Sequence, residues 1–128
     1  MRSLLGLALL AWAVTAPADC LLYERDVTLT GVVNYRTSGK TRDAILRLDS
    51  PVCVRSTRQQ DDLGSNVPRD DIRLIQLVML PSISPPSQDS EIAVTGMLFG
   101  ADSARHRTRV LLYVKAMEAL SPRKRPTP

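Results

Sequence analysis

The feature that most restricts the fold is a period of two. Val27, Leu29, Val33 and Tyr35 fall on one face of an extended segment, and Thr28, Thr30 and Asn34 fall on the other. That is the pattern of a half-buried strand, with Gly31 as a bulge or bend. The same alternation recurs in Ala44–Leu48, where Ala44, Leu46 and Leu48 point in and Arg47 points out. Ser50-Pro51 interrupts it and Val52-Cys53-Val54 resumes, so one strand with a break at the proline is expected. Ile72 to Leu80 is apolar except for Arg73 and Gln76, as in a strand buried on much of both faces. Glu91–Phe99 alternates around Gly96.

The last segment satisfies two periods. Val110, Leu112 and Val114 alternate as in a strand, while Val110, Leu111, Val114 and Met117 also share a helical face. The β-branched half favours strand, and Lys115–Leu120 is left open between strand and a short helix. Thr37-Ser38-Gly39-Lys40 reads as a turn and residues 56–71 as a long polar loop. Pro81–Ser90 holds three prolines, which excludes a helix there. Five short strands with a glycine in the first suit a small closed all-β domain. A five-stranded OB-like barrel with long polar loops and at most one short helix is expected, ahead of a sandwich.

Residues 1–18 stand apart. Met1-Arg2-Ser3 is positive, Leu4–Val14 is uninterruptedly apolar, and Ala16-Pro17-Ala18 places small residues where a signal peptidase reads them. The run is shorter than the roughly 20 apolar residues a spanning helix needs. A secretory signal cleaved after Ala18 is therefore expected, with a barrel domain over 19–120 and a disordered basic tail over 121–128. The location expected is periplasmic or secreted. Cys20 then lies close to the new N-terminus, but Pro17 and Asp19 fit no lipoprotein signal. A Cys20–Cys53 disulfide is expected instead in an oxidising compartment. In the chain-entropy picture it is worth roughly 4 kcal/mol.

The ordered stretches Val27-Thr28-Leu29-Thr30-Gly31, Leu46-Arg47-Leu48-Asp49-Ser50-Pro51-Val52-Cys53-Val54 and Ile75-Gln76-Leu77-Val78 are followed by two more. These are Val94-Thr95-Gly96-Met97-Leu98-Phe99 and Thr108-Arg109-Val110-Leu111-Leu112, with Tyr23-Glu24 near the start. The series resembles the bacterial domain of unknown function 4431 family, small secreted proteins, over residues 20–117. The resemblance implies a secreted bacterial protein with an OB-like fold and brings no settled activity. It also implies a histidine-rich loop after T-G-x-L-F. Here that loop retains only His106, which weighs against metal or histidine chemistry in this chain.

Catalytic patterns are missing: there is no G-x-S-x-G, H-E-x-x-H or Walker loop. A single histidine and two paired cysteines do not make a structural zinc site, so no metal and no cofactor are expected. Asp61-Asp62 and Asp70-Asp71 match no calcium loop and read as a solvated acidic loop. Charge is polarised: the chain carries +4 overall, with residues 101–128 at +5 and residues 19–100 at −2. Arg105, Arg107 and Arg109 would share one face if the last strand began early. With His106 they are the expected contact residues for a partner or ligand. Nucleic acid is disfavoured because the second and third strands hold no aromatic residue to stack a base. The expectation is a non-enzymatic binding protein, of the inhibitor or immunity type toward an envelope enzyme. The alternative is a binder of an anionic small ligand or polysaccharide at the barrel mouth.

Overall fold

A computed structural model describes residues 19–56 and 64–120. The leader, the basic tail and Asp61-Asp62 lie outside the described residues. Six strands occur in chain order: β1 (Leu21–Leu22), β2 (Asp26–Ser38), β3 (Thr41–Arg55), β4 (Arg69–Val78), β5 (Glu91–Gly100) and β6 (Val110–Ala119). There is no helix among the described residues, so the domain is all-β.

β2 to β6 close into a ring. β2 pairs antiparallel with β3 on one side and β5 on the other. β3 continues to β4 and β5 to β6, again antiparallel, and β4 and β6 complete the circuit in parallel. This is the five-stranded OB-like arrangement read from the alternation. The two-residue β1 is an addition that lies parallel to the end of β3, Leu21 against Val54. Two residues carry too little pattern to be read as a strand.

The alternation places the core as expected. Val33, Leu46, Val54, Ile75, Val94, Leu98, Val110 and Leu112 are fully buried inside the ring. The core is aliphatic apart from Tyr23, whose hydroxyl donates to the Val67 carbonyl at 2.6 Å. The loop between β4 and β5 stands where a helix is common in such folds. It is tied to the free side of β2: Asp89 N–H donates to Val33 O, Val33 N–H to Ser90 O, and the Tyr35 hydroxyl to Pro86 O. Ile83 from this loop packs against the core.

Several local expectations change. β3 does not break at Ser50-Pro51 but runs through as one strand. The irregularity lies in its pairing: Arg47 faces Leu74 and Val52 faces Ile72, so Leu48–Pro51 is a stretch that β4 does not match. Proline has no N–H for the ladder, and this unmatched stretch is where it costs none. Gly31 is no bulge. It is paired with Leu48 and Ile92 at once, and a Cβ there would lie 2.2 Å from the Arg47 carbonyl oxygen. The glycine permits that close approach. The β5–β6 pairing of the same sheet has its register shift at Thr95/Gly96.

β4 begins at Arg69, inside the stretch read as loop, and ends at Val78 rather than Leu80. Burial on both faces is confined to Ile75–Leu77, while Leu74 is 40% and Leu80 59% exposed. The final segment stays extended to Ala119. β5 decides this by offering Thr95, Val94, Ala93 and Ile92 as partners for Ala116–Ala119.

Candidate functional site

The loop between β5 and β6, residues 101–109, is the part of the described chain that brings the expected contact residues onto the ring. Its ends are tied by Ala101 N–H donating to Arg109 O, and its turn by His106 N–H donating to Ser103 O. The strand starts only at Val110, so the three arginines do not form one row. Arg105 stands at the loop's tip. Arg107 Nε donates to Asp43 on β3 as an ion pair whose side chains are 26% and 23% exposed. Arg109 lies on the other side of the loop, beside Ile72–Leu74.

His106 organises the loop. Its Nδ1 accepts the Asp102 N–H at 3.0 Å, which puts the ring proton on Nε2. The Asp102 carboxylate lies 3.3 Å from the same nitrogen. The ring meets Phe99 edge-on at 5.9 Å, and Phe99 stacks on Tyr113 at 4.4 Å. This histidine is held from both sides, by the Asp102 N–H and by the edge of Phe99.

Gln76 is the anchor. It was legible only as a polar interruption of an apolar strand. It points away from the core, opposite Ile45 on β3 and Leu111 on β6. All three are buried although Ile45 and Leu111 lie outside the core cluster. The folded-back loop meets this outer row. Gln76 N–H donates to the Thr108 hydroxyl at 2.9 Å, and Thr108 donates on to Val110 O at 2.7 Å. Gln76 Oε1 accepts the Arg107 N–H at 2.7 Å. A buried carboxamide that satisfies a loop N–H fixes the loop, because a lost partner there costs about 1–3 kcal/mol.

Between this loop and the β2–β3 turn lies a cleft of about 640 Å³, lined by Ser38, Thr41, Asp43, Gln76, Val78 and Ala104–Arg107. It sits on the outer surface of β3 and β4 rather than at an open end of the ring. Gly39 forms the turn opposite, at φ +59°, with Thr41 donating to Ser38 O.

On the far side of the loop the outer surface has a different character. Val32, Arg47 and Leu74 lie abreast across β2, β3 and β4. Leu74 is exposed, and Arg47, Arg73 and Arg109 border the shallow hollows around it. Arg73 is paired with Asp71 at 3.1 Å, and Asp49 accepts the Thr30 hydroxyl. Among the described residues Arg47 and Arg109 have no acidic partner.

Asp70 and Asp71, expected in a solvated acidic loop, are exposed but stand at the start of β4, where Asp70 pairs with Arg55 at 2.7 Å and Asp71 with Arg73. No cluster of three or more metal-ligating side chains occurs among the described residues. The two cysteines are joined, Cys20 to Cys53, with no free cysteine among the described residues. No helix among those residues is long and apolar enough to cross a membrane. β3 and β4 present no aromatic side chain; the stacked pair of half-buried Phe99 and exposed Tyr113 stands on β5 and β6. No family model matches the chain, and no curated protein is significantly similar to it.

Proposed function

We propose that the chain is a secreted, non-enzymatic binding module that docks an acidic partner protein on the outer surface of β3 and β4, in the manner of an inhibitor or immunity protein. One observation carries this reading: Leu74 stands 40% exposed among arginines, two of which have no acidic partner among the described residues. An apolar anchor bordered by arginines, two of them without an acidic partner among the described residues, matches the composition of an interface centre. The complementary surface is a carboxylate-rich rim around an apolar pocket. The disulfide and the leader-like N-terminus support an extracytoplasmic location. The resemblance to small secreted bacterial proteins supports it too.

The test uses residues 19–128 as immobilised bait against an envelope extract, beside a bait carrying Leu74→Asp and Arg109→Glu. An acidic protein retained by the first and lost from the second supports the reading. Equal retention on both overturns the assignment of this face.

A further inference from the structure

We propose that the cleft between the β2–β3 turn and the loop 101–109 is a binding site for a sugar acid, a hydroxylated ligand with one carboxylate. The proposal stands independently of the protein-docking reading, because it uses the opposite side of the loop.

The argument starts from Gln76. The residue is only 7% exposed, and the one other face it shows is the wall of this cleft. Its Oε1 is committed to Arg107 N–H, which leaves the NH2 group. Among the described residues no acceptor meets that NH2, and no buried side-chain polar atom lacks a partner. The NH2 therefore reaches solvent, and it does so through the cleft. A largely buried carboxamide held from behind, with both N–H bonds free in front, is a fixed pair of donors.

The second donor is Arg105. The residue lines the same cleft, and its guanidinium has no acidic partner among the described residues. Guanidinium matches a planar carboxylate through two parallel N–H bonds. The charge balance of the walls limits the ligand to a single negative charge. Arg107 is already neutralised by Asp43, so Arg105 is the one uncompensated charge in the lining. A phosphate dianion would meet the Asp43 carboxylate with no second cation to offset it.

The rest of the lining suits hydroxyl groups. Asp43 keeps Oδ1 as an acceptor, Oδ2 being held by Arg107. Ser38 and Thr41 supply hydroxyls on the facing wall. The volume of about 640 Å³ is in the range of small-ligand sites.

The experiment is calorimetric titration of residues 19–128 with galacturonate, galactose and a short polyglutamate, with the Gln76 side-chain NH2 resonances followed by NMR. Arg105→Ala and Gln76→Glu are the variants. The second keeps an oxygen for Arg107 N–H and replaces the free donors with a repelling oxygen, so the loop stays latched. Melting of each variant is measured to show that it folds.

The expected result is saturable binding of galacturonate that shifts the Gln76 NH2 pair, weakened at least tenfold in both folded variants, with galactose and polyglutamate at least tenfold weaker. Absence of saturable binding by the unmodified chain overturns the proposal. So does binding that survives both substitutions, or equal binding of the neutral sugar. Equal binding of polyglutamate assigns the site to a protein carboxylate and overturns the sugar.

Discussion

Two segments outside the ring strands are strapped onto it, and they are held by opposite means. The N-terminal strap, residues 19–25, is fixed by the Cys20–Cys53 bond, by the β1 pairing and by Tyr23 at 1% exposure. The strap 101–109 is fixed by hydrogen bonds to Gln76, by one ion pair and by an edge-on ring contact. A covalent and apolar clasp consumes its own groups and leaves a surface with little to offer. A polar latch is held by some of the atoms of its anchors and leaves the others free. Gln76 latches with its oxygen and presents its nitrogen. Arg107 is spent on Asp43, which leaves Arg105 unopposed. The proposed sugar-acid site is thus a by-product of how the second strap is held.

The largest expected effect that sharpens this contrast is loss of the covalent clasp. Replacing Cys20 and Cys53 with serine should cost about 3–4 kcal/mol. For a domain of this size that lowers the melting temperature by about 15 °C or more. Thermal unfolding under non-reducing conditions measures it. A loss no larger than that from the polar latch would break the comparison.

Next comes Gln76→Leu, which strands the Arg107 N–H. Destabilisation of about 1–3 kcal/mol is expected. Amide exchange should accelerate in residues 102–107 far more than in β2 or β5. Uniform acceleration across all strands would show that the latch is part of the core.

Tyr23→Phe should cost about 1 kcal/mol, from the lost bond to Val67 O. It also carries a pH signature. Burial raises the Tyr23 pKa above its ordinary value of 10.0, partly offset by the nearby charge of Arg69. A raised folded value means that the folded chain holds the proton longer than the unfolded one. The contribution is present in full below pH 10 and is lost as pH climbs through the folded value. Urea midpoints measured from neutral pH upward should fall above pH 10 in the parent chain and fall less in Tyr23→Phe.

The smallest effect belongs to Asp43→Asn. The ion pair is part-exposed, so about 0.5–1 kcal/mol is expected, shrinking in added salt. A salt-independent loss would mean that packing, not charge, holds Arg107.

What the sequence showed and hid divides along the same line. Interior residues such as Val33, Leu46 and Val94 obey the period of two, because each meets the same environment at every second step. The disulfide was legible from two cysteines in an oxidising context. Leu74 was not legible as exposed, because the unmatched Leu48–Pro51 stretch of β3 shifts which residues of β4 face inward. Gln76 was visible, since it interrupts an apolar run, but its role needs the loop that folds back over it. The arginines were legible as a charged segment. Their division between two surfaces follows from the strand starting at Val110, which the alternation of Arg105, Arg107 and Arg109 with other residues could not fix. Met117 fits a strand and a helix equally, and only the β5 ladder settles it.

The parallel pairing of β4 with β6 has a kinetic consequence. The ring closes through its last strand, and Asp26 on β2 pairs with Met97 on β5 far along the chain. Such non-local pairing slows folding. A chain made from its N-terminus can form the β2–β3 hairpin and bring Cys20 to Cys53 early, but β4 and β5 keep bare edges until Ala119 has emerged. During that interval the nascent domain is a curved open sheet, and bare edges are templates for pairing with other chains. Truncations ending before β6 should accumulate as aggregates rather than as a smaller folded domain.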